Sequence, residues 1–193
     1  MSADGEYDVI VAGGGPAGST IAGLLAREGW DVCLVEKETH PRFHIGESLL
    51  PWNMPILERL GVIEEVEKIG VVKPAADFSL PTSEEYVRFD FSEAYAPTPP
   101  TAFQVRRSDF DNLLFRHAAR LGATTFEGAR IADVDLGAGA GDPAGNGARR
   151  PVRVTLTLGE DETREIRARF MVDATGRDTL LGRKLGLKAR HPT

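Results

Sequence analysis

The chain has a single cysteine, Cys33, so no internal disulfide framework can form. Its four histidines are scattered, and Pro41 breaks any helix that would join His40 to His44, so no metal site is expected. Basic residues are in the minority: 23 Lys and Arg stand against 29 Asp and Glu, with no basic block. The resulting charge of −6 argues against a nucleic-acid groove or an electrostatic membrane anchor. Apolar runs are only a few residues long, far short of the ~20 that a membrane span requires. The first residues, Met1-Ser2-Ala3-Asp4-Gly5-Glu6, are acidic and polar where a secretory signal would be basic and then apolar, so a cytoplasmic protein is expected. What remains is a globular composition of 193 residues, 41% hydrophobic, large enough for a core that needs no staples.

The opening stretch has a clear rhythm. Tyr7–Ala12 is a short β-rich run ending at Gly13-Gly14-Gly15-Pro16-Ala17-Gly18, after which Ile21, Ala22, Leu24 and Leu25 recur at helical spacing until Gly29. Asp31–Glu36 reads as a second, almost wholly apolar strand, as expected of a parallel strand covered on both faces. This is a βαβ unit. Residues 37–51 read as an ordered loop, followed by two short helices around Ile56–Leu60 and Val62–Ile69 and by strands over 71–80 and 85–91. Pro97, Pro99 and Pro100 mark a loop. Ser108 is placed to cap a helix whose buried stripe is Phe110, Leu113, Leu114, Ala118 and Leu121, with Asp111 read as a capping residue and His117 at the core edge. Strands are expected at Ile131–Leu136, Val152–Leu158 and Glu165–Val172, with a mobile glycine-rich hairpin tip over 137–147. Asp178 or Thr179 is expected to cap a helix over Leu180–Leu185.

Gly13, Gly15 and Gly18 satisfy G-x-G-x-x-G between a strand and a helix. The first glycine permits the tight turn, the second lets backbone approach a pyrophosphate, and the third lets helix and strand pack closely. The helix N-terminus then offers free N–H groups and a positive dipole end to the phosphates. Glu36, 18 residues beyond Gly18, stands where a carboxylate can accept the ribose hydroxyl protons, and its charge disfavours a 2′-phosphate. The candidate dinucleotide contacts are therefore Gly13, Gly15, Pro16, Ala17, Gly18, Glu36 and the adjoining Lys37. This pattern leaves FAD and NAD both open.

Four further strings resemble FAD-dependent oxidoreductases of the class A flavin monooxygenase and flavin-dependent halogenase superfamily. Asp173-Ala174-Thr175-Gly176 resembles the family's strand-end "DATG" motif, which implies that Asp173 and Gly176 lie beside the cofactor. Gln104-Val105-Arg106-Arg107-Ser108-Asp109-Phe110-Asp111 resembles a stretch whose Gln and Arg lie near the flavin, which gives Gln104 and Arg107 that role. Arg42-Phe43-His44-Ile45-Gly46-Glu47-Ser48-Leu49-Leu50-Pro51 is similar to the halogenases and their close relatives among class A flavin monooxygenases, and implies a loop passing the flavin ring with Arg42, Gly46, Glu47 and Ser48 close to it. Val72-Lys73-Pro74-Ala75-Ala76-Asp77-Phe78 resembles the segment that carries the halogenases' catalytic lysine, which makes Lys73 the candidate catalytic residue. From the residues alone, Lys73 reads as a solvated strand lysine; the resemblance is what sets the catalytic reading level with it. The "W-x-W-x-I-P" string of many aromatic halogenases has no counterpart.

The resemblance implies an α/β, Rossmann-like FAD-binding fold of the three-layer glutathione-reductase type, with a β-meander and part of a substrate-domain sheet. The expected divisions are a flavin-binding βαβ with its loop and helices over 1–70, partial substrate-domain strands over 71–105, and a return to the FAD-binding domain over 106–193. The family's later Gly-Asp motif has no counterpart, since Gly141-Asp142 stands in the glycine-rich stretch with no strand before it, so the chain is expected to carry the N-terminal portion of the family fold. The function implied is halogenation of an electron-rich aromatic or carrier-bound substrate with FADH2, O2 and halide, the FADH2 coming from a separate flavin reductase. In that chemistry Lys73 would either hydrogen-bond hypohalous acid or form a chloramine. The alternatives are an NAD(P)H-dependent hydroxylase, a geranylgeranyl-reductase-like flavoprotein, and a non-catalytic dinucleotide-binding subunit.

Overall fold

The computed structural model describes residues 5–79, 86–95, 98–137, 151–159 and 162–187. In chain order they form β1 (Glu6–Ala12), α1 (Pro16–Arg27), β2 (Val32–Glu36), α2 (Asn53–Leu60), α3 (Ile63–Ile69), β3 (Gly70–Lys73), β4 (Ala75–Ser79) and β5 (Tyr86–Asp90). There follow β6 (Ala102–Val105), α4 (Arg107–Arg120), β7 (Thr124–Glu127), β8 (Ala129–Asp135), β9 (Val152–Leu158), β10 (Glu162–Asp173) and α5 (Leu180–Lys184). They fall into two compact units, one made of the chain up to His40 and from Leu114 onward, the other of Pro41–Leu113.

The first unit is built on a six-stranded sheet in the order β7-β2-β1-β10-β9-β8. β7, β2, β1 and the last half of β10 run parallel, while β8, β9 and the first half of β10 form an antiparallel meander. The twelve-residue β10 does both jobs: Glu162–Ala168 pairs with β9, and Arg167–Asp173 pairs with β1. Strand alternation explains the layers. Val9, Val11, Val32 and Leu34 face a core with Ala22, Phe115 and Ala118 from the helices. Their neighbours Ile10, Cys33 and Val35 face the opposite core with Val134, Val154 and Leu156 of the meander. Both faces of β1 and β2 are thus covered, giving the α/β three-layer fold.

Helix α1 buries small residues, Gly18, Ser19, Ala22 and Gly23, while Ile21 is exposed, so its docking is set by close approach rather than by a large apolar stripe. β7 was not foreseen: its residues Thr124, Thr125, Phe126 and Glu127 are half-buried and carry no strong alternation. The glycine-rich tip over 138–147, with Gly141-Asp142, lies outside the described residues, as does Pro97.

In the second unit the expected strand over 71–80 is two strands in different sheets. Pro74, which has no N–H to give a ladder, separates β3, paired with β6, from β4, paired with β5. Helices α2 and α3 are where the periodicity predicts them, divided by Gly61 in a left-handed conformation. Helix α4 begins at Arg107, so Ser108 lies inside its first turn instead of capping it.

Candidate functional site

In the first unit, the site grows from three parallel strand ends. Ala12 is opposite Val35 on one side and Asp173 on the other, so β1, β2 and β10 all deliver their carboxyl ends to one edge. The chain leaves β1 toward β2 and returns on its other side as β10, which makes this edge the switch point where open α/β sheets bind ligands. The glycine turn is fastened there: the Gly13 amide donates to Val35 O at 2.8 Å, and the Ala174 amide to Ala12 O at 2.8 Å. Gly13 has φ +100°, and a Cβ on it would stand 2.5 Å from Ala174 O; one on Gly18 would stand 1.8 Å from Gly13 O. Both glycines are required by backbone touching backbone. Gly15 is different, with φ −75° and ψ −174°, a conformation open to any residue. Pro16 begins α1, Ala17 is exposed, and the first turn carries no acidic residue, so no carboxylate of the helix neutralises its positive end.

Glu36 is almost fully buried, and each of its oxygens accepts a backbone bond, from Gly14 N at 2.7 Å and from Glu38 N at 2.9 Å. The carboxylate is thus fixed beside the turn. Lys37 pairs with Asp178 at 2.6 Å, both partly exposed. The Asp173 carboxylate accepts the Thr175 amide and hydroxyl on one oxygen and the Leu181 amide, at 2.8 Å, on the other. The Thr175 hydroxyl oxygen accepts the Leu180 amide at 3.1 Å. It is therefore Asp173 and Thr175, not Asp178 or Thr179, that satisfy the start of α5; Thr179 is itself left-handed, with φ 45°. Gly176, with φ +62°, is exposed in the turn that follows.

Behind the turn stands a wall that the motif does not reveal. A Cβ on Gly14 would meet Phe115 and Glu36 at 2.7–2.8 Å. Phe115 is fully buried and stacks on His40, ring centroids 4.7 Å apart. His40 donates its amide to Glu127 Oε1 at 2.7 Å and faces the same oxygen through Nδ1 at 3.0 Å, while Arg116 grips both Glu127 oxygens. Burial alone would raise the Glu127 carboxyl, but the His40 amide, the Arg116 guanidinium and the His40 ring hold it below its ordinary value.

In the second unit, residues 47–49 lie along β6 as a short added strand. The Val105 amide donates to Glu47 O at 2.8 Å, the Leu49 amide to Phe103 O at 2.9 Å, and Ser48 stands opposite Gln104. On the other side of β6, Lys73 stands opposite Ala102 and Val71 opposite Gln104. Directly opposed residues share a face, so Ser48, Gln104, Ala102 and Lys73 are gathered on one side of this ribbon. The Lys73 ammonium donates to Ser48 Oγ at 2.5 Å and to Leu49 O at 2.9 Å, and lies 5.2 Å from the centroid of Phe91. Lys73 is thus a half-buried strand lysine with two hydrogen-bond partners.

Asp111 departs furthest from its expected role. It is fully buried, it accepts both Arg107 Nε at 2.7 Å and Nη2 at 2.8 Å, and Arg42 approaches at 3.4 Å. Arg107 also donates to Ile45 O at 2.9 Å and lies against Gly46. Asp111, Phe115 and Ala118 stand at i, i+4 and i+7, so the carboxylate occupies the buried stripe itself, where a search for apolar residues passes over it. Arg42, Arg106, Arg107, His44 and Glu47 border an open cleft of about 390 Å³.

The turn, the open helix end and the buried acid beside it fit an adenine dinucleotide, and the comparisons identify which one. Residues 6–193 match the family described as FAD binding domain. A Pseudomonas fluorescens protein named 1H-pyrrole-2-carbonyl-[peptidyl-carrier protein] chlorinase is 38% identical over 98% of this chain and 43% of its own length. The tryptophan 2-halogenase of Chondromyces crocatus is 38% identical over 94% of this chain and 32% of its own. Among solved structures, a flavoprotein/dehydrogenase from Cytophaga hutchinsonii superposes with TM-score 0.85 at 32% identity, covering 97% of this chain and 44% of that one. The myxobacterial chondrochloren halogenase gives 0.78 at 34% identity, covering 91% and 38%. The chain spans less than half the length of these relatives. Since the match begins at residue 6 and runs to the last, the chain belongs to the family of FAD binding domains.

Proposed function

We propose that the chain is the FAD-binding portion of a flavin-dependent halogenase. The observation that carries this reading is the shared face of Lys73, Ser48 and Gln104, which joins the lysine to the segment Gly46-Glu47-Ser48. When bound and reduced, FAD supplies the two electrons with which O2 oxidises halide to hypohalous acid, with water as the other product. The residues of this chain have separate tasks. The Gly13–Gly18 turn and the N-terminus of α1 bind the pyrophosphate, Glu36 accepts from the ribose, and Asp173 holds the turn that ends in Gly176. Arg42, Gly46, Glu47, Ser48, Gln104 and Arg107 are assigned to the flavin half.

An ammonium has three N–H donors, and those of Lys73 include bonds to a hydroxyl and a carbonyl oxygen while a π face lies alongside. The role assigned to Lys73 is to hold hypohalous acid by a hydrogen bond near the segment it touches. The substrate class assigned is an electron-rich aromatic, free or carrier-bound, with a separate flavin reductase as partner. The test supplies the complete protein with FAD, a reductase, NADH, O2 and bromide, and a panel of phenols, indoles and pyrroles. A brominated product that disappears in Lys73→Ala is expected; hydroxylation without bromination would overturn the proposal. The Cytophaga hutchinsonii neighbour favours a second reading, a dehydrogenase. Turnover that needs no halide and survives Lys73→Ala would select it.

A further inference from the structure

Lys73 reaches its partners by crossing the neighbouring strand. Ala102 stands directly opposite it on β6, is fully buried, and is small enough for the lysine stem to pass over it. Beyond β6 the ammonium ends on two consecutive residues of the 47–49 segment, Ser48 through its hydroxyl and Leu49 through its carbonyl. Leu49 O is held because the Leu49 amide is bonded to Phe103 O, and Ser48 is held by its pairing with Gln104. The third neighbour, the Phe91 ring, is almost fully buried, and its residue is fixed by the hydrogen bond that the Phe91 N–H donates to Pro74 O at 2.9 Å, one residue after the lysine. A long flexible side chain is thereby ordered by three groups that are themselves anchored to backbone, two of them on residues 47–49 and one of these, Ser48, assigned to the flavin.

We infer that Ser48 is a positioning residue for Lys73: its hydroxyl fixes the ammonium in one rotamer, and with Ala102 it ties the lysine to the Gly46–Ser48 segment. The inference takes Lys73 as the catalytic group, and so rests on the halogenase reading for its consequence, though not for the contact itself. Two measurements separate them. In the cofactor-free protein, Lys73 is labelled with an amine-selective acylating reagent and quantified by mass spectrometry against Lys68. Ser48→Ala should raise the Lys73 rate about threefold, as expected for loss of one hydrogen bond, leave Lys68 unchanged, and be reversed by Ser48→Thr. Ala102→Val should raise it too. An unchanged Lys73 rate in Ser48→Ala overturns the inference whatever the enzyme does. In the complete FAD-loaded protein, Ser48→Ala should lower kcat for bromination about tenfold with KM for substrate little changed, again restored by Ser48→Thr. Faster labelling with undiminished kcat overturns the positioning role in the reaction; bromination that survives Lys73→Ala overturns the halogenase reading instead.

Discussion

Gly14 is the first x of G-x-G-x-x-G, a position the motif leaves unspecified, and replacing it with alanine should be severe. The added Cβ would stand 2.7 and 2.8 Å from two Phe115 ring carbons and 2.8 Å from Glu36 Cβ, where ordinary contact begins at 3.4 Å. Neither neighbour can withdraw. Phe115 is fully buried with His40 stacked on it, and Glu36 is bonded to the amides of Gly14 and Glu38. Overpacking of this kind costs typically 1–3 kcal/mol, and three overlaps on immobile groups put Gly14→Ala at about 2–3 kcal/mol. With a urea slope of about 2 kcal/mol/M, the unfolding midpoint should fall by about 1–1.5 M at constant slope. Phe115→Leu opens space at the same spot, so the double variant should be more stable than the sum of the single losses predicts, by about 1 kcal/mol or more. FAD affinity should fall with the Gly14–Glu36 bond. A Gly14→Ala protein within about 0.5 kcal/mol of the parent, or a double variant showing strict additivity, would refute the wall described behind the turn.

Asp111→Ala leaves the Arg107 and Arg42 guanidiniums, side chains only 16% and 10% exposed, without their carboxylate, and should cost about 3 kcal/mol in urea unfolding. Burial pushes the Cys33 thiol up from 9.0 to about 12, with nearby Asp31 adding to it. The native protein should therefore resist Ellman's reagent at pH 8 until it unfolds, and this residue's share of stability, complete below pH 9, should be lost as pH rises through 12. Glu127 shifts the other way. Its native value lies below 4.5, so its stabilisation is present above that pH and disappears as pH falls through the native value; Arg116→Ala should flatten this acid limb in thermal melts.

The parts of the fold that follow from local chemistry were legible in the sequence. The βαβ unit shows in the change from apolar strand to glycine turn to helical spacing, Gly13 and Gly18 stand where a Cβ would strike backbone, and Glu36 ends β2. What was not legible depends on residues distant in the chain. Gly14 must be glycine because Phe115 arrives from α4, a constraint that no spacing rule near the turn contains. β7 is a strand because β2 offers it an open edge, not because of its own pattern. Asp111 sits in a helix stripe that hydrophobicity cannot detect, and its meaning needs two arginines, one of them from the loop before α2. Lys73 could be assigned only by resemblance; its ties to Ser48 and Leu49 appear once β3 and residues 47–49 flank β6.

The turn that opens the chain is completed from its far end. Gly13 has its conformation enforced by Ala174, and the switch-point edge exists only after β10 has slotted in beside β1. On the ribosome, the glycine loop therefore emerges early but stays unfinished until translation has passed Gly176, and the nascent chain should acquire its coenzyme late, once the long parallel ladder has closed.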